Sequence, residues 1–336
     1  MNSEKILLAH GSGGLLAHQL IKHVFLPFFK NEILEQMDDA AVIMPSKNKL
    51  AFSTDSYVVD PIFFPGGDIG KIAVCGTVND LAMMGARPLY LSAGFIIEEG
   101  FLLDDLKKIL KSMKMCANEA GIKIITGDIK VVPHGAADKI FINTAGIGEI
   151  IGNVKISGRN ARIGDVIVIN GSIGEHSISV MAKREGLDLD ANIKTDSAPL
   201  NHLVEKMVDL VPDIHVLRDP TRGGIATTLN EIAGSSKVGI RIYEDQIPVS
   251  SKVQSVCELL GFDPLYLANE GKLLAFCPPA RVNDLVRVMK TDKYGKKSSI
   301  IGEVIEKPAG KVFMETRIGG QRIVDMLAGE QLPRIC

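Results

Sequence analysis

Tryptophan is absent from the 336 residues, and aromatic side chains make up only 5% of them. That scarcity argues against a stacking platform for bases or sugars. An excess of one charge is also lacking: 38 Lys and Arg face 40 Asp and Glu, a formal charge of -2. Nothing in this balance favours nucleic acid or another polyanion as partner. A small acidic ligand stays open, because it needs only a local positive site. No apolar run approaches the roughly 20 residues of a membrane helix. The opening Met1-Asn2-Ser3-Glu4-Lys5 is unlike a secretory signal. Cysteine is sparse: Cys75, Cys116, Cys257, Cys277 and Cys336 lie far apart and form no CxxC pair. A disulfide framework or structural zinc site is therefore not expected, and a cytoplasmic location is.

Glycine and apolar residues are plentiful. There are 33 glycines, and 46% of the chain is hydrophobic, enough to bury a sizeable core. The length predicts about two domains. Leu16, Leu20, Val24 and Phe28 recur every four residues, which predicts a helix over Leu15–Phe29, with Pro27 obscuring its end. The stripe Leu102, Leu106, Ile109, Leu110, Met113, Cys116, Ala117 and Ala120 predicts a second helix, with Gly121 as its stop. Short strands are expected at 40–44, 50–54, 122–126 and 140–151. In the second half, strands are expected at 166–170, 239–243, 272–276 and 299–304, and helices at 177–184, 200–210 and 224–233. Alternating helices and strands predict an α/β (α+β) class. The turn-forming stretch 152–164 divides the chain into 1–154, 155–327 and a tail, 328–336, that is either extended or docked.

The chemistry-bearing residues are scattered. Asp80 is the single charged side chain in the small-residue stretch Ile72–Ala86. A carboxylate there needs a partner or a cation. Asp38-Asp39 precedes a predicted strand, and Asp55 and Asp128 follow two others. Each reads singly as a turn residue or cap. Gathered at strand ends, they suit magnesium with a nucleotide's phosphates. His10-Gly11-Ser12-Gly13-Gly14 is an amide-rich entry to a helix that suits phosphate, although it is neither a Walker A loop nor GxGxxG. Asp219-Pro220-Thr221-Arg222-Gly223-Gly224 offers a second anion grip through Arg222. Lys130 and Glu270 are surface charges, or an acid and a base if they fold toward one pocket. Cys336 is the last residue of the sequence, a thiol on an arm. The other four cysteines sit in apolar contexts and read as core.

Together these segments resemble the aminoimidazole ribonucleotide synthetase-like (PurM-like) superfamily. The matching motifs are Asp38-Asp39-Ala40-Ala41-Val42, Asn79-Asp80-Leu81-Ala82, Thr126-Gly127-Asp128 and Asp219-Pro220-Thr221-Arg222-Gly223-Gly224. Within it, His10-Gly11-Ser12-Gly13-Gly14, Gly127-Asp128-Ile129-Lys130-Val131-Val132 and the terminal Pro333-Arg334-Ile335-Cys336 are similar to the HypE family, the carbamoyl dehydratases of nickel–iron hydrogenase maturation. Ile129 departs from the Thr expected in many relatives.

The resemblance implies a two-domain fold whose N-terminal halves pair through sheets into a barrel-like homodimer core. It implies ATP at the segment Gly11, Ser12, Gly13 and Gly14, with magnesium among Asp39, Asp55, Asp80 and Asp128, and Asp38 as the alternative to Asp39. It implies a carbamoyltransferase partner, HypF, that loads Cys336, and a HypC–HypD complex that receives cyanide. Glu270 is then the expected base and Lys130 the group that orients the amide. The competing readings are another ATP-dependent synthetase or kinase of the superfamily, acting on a free small molecule, and a non-catalytic nucleotide-binding scaffold. Neither needs the terminal thiol.

Overall fold

The computed structural model describes residues 5–6, 20–32, 49–186, 193–327, 332 and 334–336. The predicted strand at 40–44, the glycine segment Gly11 to Gly14, and both Asp38 and Asp39 lie outside the described residues.

Residues 50–150 build a four-stranded sheet with two helices on one face. A π turn, Ile21–Phe25, runs into the short α1 (Leu26–Phe29), where Pro27 occupies the first turn and costs no hydrogen bond. After β1 (Leu50–Tyr57) and the small hairpin β2 (Phe63–Phe64) and β3 (Gly67–Asp68) comes α2 (Ile69–Met83). The Asp68 carboxylate caps α2 by accepting from the Lys71 N–H at 2.9 Å. Then follow β4 (Ala86–Glu98), α3 (Leu103–Ala120), β5 (Lys123–Val132) and β6 (Ile140–Ile150). Gly121 ends α3 in the left-handed region at φ 71°, as its sequence position predicts. The sheet order is β1-β6-β4-β5, with β4 and β5 parallel and the other pairs antiparallel. Among the described residues it does not close into a barrel; β1 and β5 are its edges.

Two strands run further than expected, and this moves two predicted site residues. β1 continues through Asp55 to Tyr57, and β5 continues through Gly127-Asp128 to Val132. Neither Asp55 nor Asp128 therefore follows a strand; both sit inside one. Gly127 does not break β5 because its bare Cα admits the neighbouring strand. A Cβ there would lie 2.4 Å from the Ala93 carbonyl oxygen.

The second half builds a larger sheet. Its elements are β7 (Val166–Ile169), α4 (Glu175–Arg184), α5 (Asn201–Leu210), β8 (Val216–Arg218), α6 (Gly224–Ser236), β9 (Gly239–Tyr243), α7 (Ser251–Leu260), β10 (Leu274–Cys277), α8 (Val282–Lys290), β11 (Ser299–Ile305), β12 (Val312–Glu315) and β13 (Gln321–Ile323). The order is β13-β12-β9-β11-β7-β10-β8. Apolar cores lie on both of its faces, one beneath α6 and one beneath α5 and α8. No described helix is long and apolar enough to cross a membrane.

The halves are joined by a buried amide. Asn79 on α2 donates to the carbonyls of Ala198 (3.1 Å) and Glu270 (3.4 Å) and accepts from the Leu200 N–H at 2.8 Å. All of its hydrogen-bonding groups are therefore spent on the other half. This ties the helix that carries Asp80 to the segment that carries Glu270.

Candidate active site

Side chains alternate across a strand, so residues one apart in β1 and β5 look to opposite faces. On β1, Ser53, Asp55 and Tyr57 look toward α2. Ser53 donates to the Asp80 carboxylate at 2.6 Å. Tyr57 is buried against Gly76, where a Cβ would lie 2.1 Å from the phenol oxygen. Phe52 looks the other way and is 71% exposed. The register carries this division across the sheet. Phe52 lies beside Ile147, Ile147 beside Tyr90, Gly94 beside Asp128, and Ile96 beside Lys130. Asp128 and Lys130 thus stand on the open face, where they pair with each other at 3.0 Å with side chains 70% and 64% exposed. The intervening Ile129 turns back into the core.

The predicted carboxylates therefore do not all converge. Asp55 and Asp80 meet on the helix-covered face, and Asp128 lies across the sheet from them. The group that Asp55 and Asp80 join contains Glu270, the expected base, and Asp219, which the sequence offers only as part of its Asp219-Pro220-Thr221-Arg222 turn. Burial pushes the Glu270 carboxyl far above its ordinary value, helped by Asp196, Asp219, Asp55 and Asp80. Burial, then Asp80, pushes Asp219 up to about 7, against the pull of Arg218. Burial likewise raises Asp80, with Asp55 adding to it and Ser53 opposing it. These groups crowd negative charge into a poorly solvated site, and a bound cation would relieve it. Among the described residues, no three His, Cys, Asp or Glu side chains lie close enough to hold a metal. What would suit a cation here is the oxygen-only donor set of Asp55, Asp80, Asp219 and Glu270.

Glu270 is held from behind. Its N–H donates to Asp196 Oδ1 at 3.1 Å, and Lys272 Nζ reaches Asp196 Oδ2 at 2.8 Å. Against the opposing effect of burial, Lys272 keeps the Asp196 carboxyl below its usual range. Gly271 is obligatory between them, because a Cβ would fall 1.9 Å from the Asp196 carbonyl oxygen.

The end of the chain enters this site. The Val58 N–H donates to the main-chain oxygen of Cys336 and the Asp60 N–H to the Arg334 carbonyl, both at 3.2 Å, so the tail lies along the segment leaving β1. Arg184 donates to the Arg334 carbonyl at 2.8 Å, and His176 Nε2 lies 2.8 Å from the Ile335 carbonyl. Arg334 reaches back to the Val58 carbonyl at 2.8 Å and pairs with Asp138. Ile335 is buried. Of the two sequence-stated states of the tail, the docked one is observed. Cys336 borders a cavity of about 310 Å³ that is also lined by Arg222, Gly223, Ser177 and Ala268. Burial, then Glu270, holds the thiol in its neutral form, while Arg222 pulls the other way. Arg222 therefore sits where the anion grip was expected, at the head of α6, and it faces the sulfur. The remaining cysteines are core: Cys75 and Cys116 touch at 3.9 Å inside the first half, and Cys257 and Cys277 are buried in the second.

Residues 37–150 match the AIR synthase related protein N-terminal domain, and residues 162–315 match its C-terminal domain. The carbamoyl dehydratase HypE of Cupriavidus necator is 51% identical over all of this chain and 96% of its own length. The chain belongs to the HypE family of AIR synthase related proteins. A crystal structure of the hydrogenase maturation protein HypE in complex with ATP superposes with a TM-score of 0.96 at 53% identity, covering 98% of this chain and 99% of that one. A HypE–HypF complex matches at 51% identity with a TM-score of 0.81, covering 92% of this chain and 99% of that one.

Proposed function

We propose that this protein is an ATP-dependent carbamoyl dehydratase of nickel–iron hydrogenase maturation and that Cys336 carries the reacting group. The observation that supports this most directly is the terminal thiol docked at a cavity that Arg222 also lines, in a chain half identical to proteins named for that activity. The substrate is the S-carboxamide of Cys336. Its oxygen is a poor leaving group at neutral pH. ATP supplies a phosphoryl group to that oxygen, phosphate then departs, and the nitrogen gives up both protons. Overall, the S-carboxamide and ATP give the thiocyanate, ADP, phosphate and a proton. The chain's part is to present the amide to the nucleotide, exclude water and accept protons.

Glu270 is the proposed base. It is buried and acts electrostatically on the Cys336 thiol, and a cation held by its neighbouring carboxylates would lower its proton affinity. ATP is assigned to the segment Gly11, Ser12, Gly13 and Gly14, with Arg222 on the anionic side of the thiol. Magnesium is assigned to carboxylates drawn from Asp38, Asp39, Asp55, Asp80 and Asp128, where it would screen the phosphates. HypF is the proposed carbamoyl donor and the HypC–HypD complex the cyanide acceptor, in the cytoplasm.

The protein is further proposed to work as a homodimer through the open face of the N-terminal sheet. That face carries Leu50, Phe52 and Ile96, each more than 40% exposed. Such a patch, on a sheet whose two edge strands have no further partner among the described residues, favours a second copy as its cover. Asp128 and Lys130 then act on the site of the partner protomer, because their own sheet separates them from Asp55 and Asp80.

Mass spectrometry tests the central claim. With HypF, carbamoyl phosphate and ATP, the C-terminal peptide gains a carbamoyl group and then loses one water. Cys336→Ala abolishes the gain and leaves ATP affinity within about twofold, since side chains beyond the nucleotide site seldom contribute more than a few tenths of a kcal/mol. An unmodified C-terminal peptide alongside turnover of a free small molecule would reassign the protein to another superfamily reaction. ATP binding with no mass change on any peptide would make it a scaffold.

A further inference from the structure

We propose that His176 is a positioning residue that latches the tail, holding the peptide between Ile335 and Cys336 so that the sulfur is presented to Glu270. His176 is the second residue of α4, is fully buried, and sets its ring edge-on to Phe64 with centroids 5.5 Å apart. Nε2 lies 2.8 Å from the Ile335 carbonyl, which can only accept. Nε2 therefore carries the proton, and the neutral ring offers a lone pair at Nδ1. The Thr195 hydroxyl, at 2.8 Å, must donate to it. Thr195 Oγ1 then accepts from the Ser197 hydroxyl at 2.7 Å and from the Ser197 N–H at 3.1 Å. Every donor in the row points one way, from Ser197 through Thr195 and His176 to the tail. Burial favours the neutral imidazole and so preserves this direction.

The grip is on main chain. His176 holds the Ile335 carbonyl, Arg184 and the Asp60 N–H share the Arg334 carbonyl, and the Val58 N–H holds the main-chain oxygen of Cys336. None of these contacts involves the sulfur. A thiol, a thiocarbamate and a thiocyanate can all be docked by the same hydrogen bonds, which is what successive steps on one arm require. Among the described side chains, His176 is the one that donates to the peptide adjoining Cys336. Losing it leaves a buried carbonyl without a donor, so the last residue is released first. The effect on dehydration rests on the dehydratase reading; the effect on docking does not.

Alkylation of the full-length protein by iodoacetamide, followed by peptide mapping, reads docking directly. His176→Ala is expected to speed labelling of Cys336 about tenfold, the ratio that ~1.4 kcal/mol of lost docking produces. His176→Gln, whose side-chain amide can also donate, is expected to stay within about threefold of the parent. Cys75, Cys116, Cys257 and Cys277 remain unlabelled if the fold is intact. Should His176→Ala unfold and expose them, the pair His176→Asn and His176→Gln replaces it, because the shorter amide cannot span the gap. In protein already carbamoylated, the Ala or Asn variant should slow loss of water about tenfold and leave the rate of loading unchanged or higher. Equal labelling of Cys336 in the parent and in folded His176→Ala or His176→Asn protein would overturn the latch, even if dehydration proceeds. Faster labelling in a protein whose parent never dehydrates would keep the latch and remove the dehydratase reading.

Discussion

The two faces of the N-terminal sheet are made by the same strands and have opposite chemistry. Ser53, Asp55 and Tyr57 look toward α2, where Asp80, Glu270 and the docked tail share little solvent. Phe52, Asp128 and Lys130 look away and stand in the open. On the covered face, carboxyl groups are pushed up by burial and by one another. On the open face, Asp128 and Lys130 pair at the surface, where such a bridge contributes roughly 0–1 kcal/mol. A motif such as Gly127-Asp128-Ile129-Lys130 thus belongs to one place in sequence and to two sides of a wall in space. Motif residues are assigned to a common pocket only after their strand parity is known.

The sharpest way to break this contrast is at its most buried member. Glu270→Gln keeps the shape and the main-chain contacts to Asp196 and Asn79 but removes the proposed base. Dehydration of the loaded sulfur is expected to fall by about 10²–10⁴-fold, the usual contribution of a general base. Loading by HypF is expected to be unaffected. Stopped reactions followed by the mass of the C-terminal peptide would separate the two steps. Equal slowing of both would make Glu270 a structural residue of the docking groove.

Lys130→Met probes the open face and is expected to have a smaller effect, a loss of about tenfold to a hundredfold in dehydration with an unchanged melting temperature. Its diagnostic feature is complementation. If Lys130 serves the partner protomer's site, a mixture of Lys130→Met and Glu270→Gln chains forms some dimers with one intact site, and activity returns. Mixed dimers as inactive as either parent variant would place Lys130 and Glu270 in the same chain's site or outside it.

Legibility in the sequence followed the same division between local and long-range order. The α3 helix was readable because its apolar stripe is amphipathic and Gly121 stops it. The α2 helix carries buried residues all round, so it showed as a run of small and apolar residues with one charge, which is what drew attention to Asp80. The long central strand β4 was missed. Pro88 lies at a register shift and Gly94 interrupts the β-branched pattern, and both are tolerated only because β5 and β6 hold it from either side. Helices α7 and α8 were also missed. Asp55 and Asp128 lie inside their strands and not at strand ends, because β1 and β5 run on past Thr54 and Thr126 through polar and glycine residues that break the apolar pattern. His176 offered no signal at all: a single histidine in Glu175-His176-Ser177 gains meaning only when Ile335, 159 positions away, arrives beside it. Asp219 was visible in its motif but not as a member of the carboxylate group, since that depends on the second half closing onto the first.

The smallest expected effect is thermodynamic and also separates the faces. Asp219 has a folded-state pKa of about 7 against an ordinary value of 3.8, so it is a carboxyl that folding makes easier to protonate. Between those values the native state binds more protons than the unfolded state, and stability falls as pH rises. The contribution is fully present below about pH 4 and is lost as pH climbs through about 7. Cation-free protein should therefore lose stability across that window, about a few kcal/mol at most once the partial exposure of the site is allowed for, and its melting temperature should fall with it. Asp219→Asn should flatten the slope, because it removes the titrating group and keeps its shape. Asp128→Asn, on the open face, should leave the slope as it was. Adding magnesium and ATP should also flatten it, since a cation held at Asp55 and Asp80 would favour the charged form of the neighbouring Asp219 that burial opposes. Identical slopes for the parent and both variants, measured by calorimetry from pH 4 to about pH 8, would mean that solvent reaches the covered face as freely as it reaches Asp128.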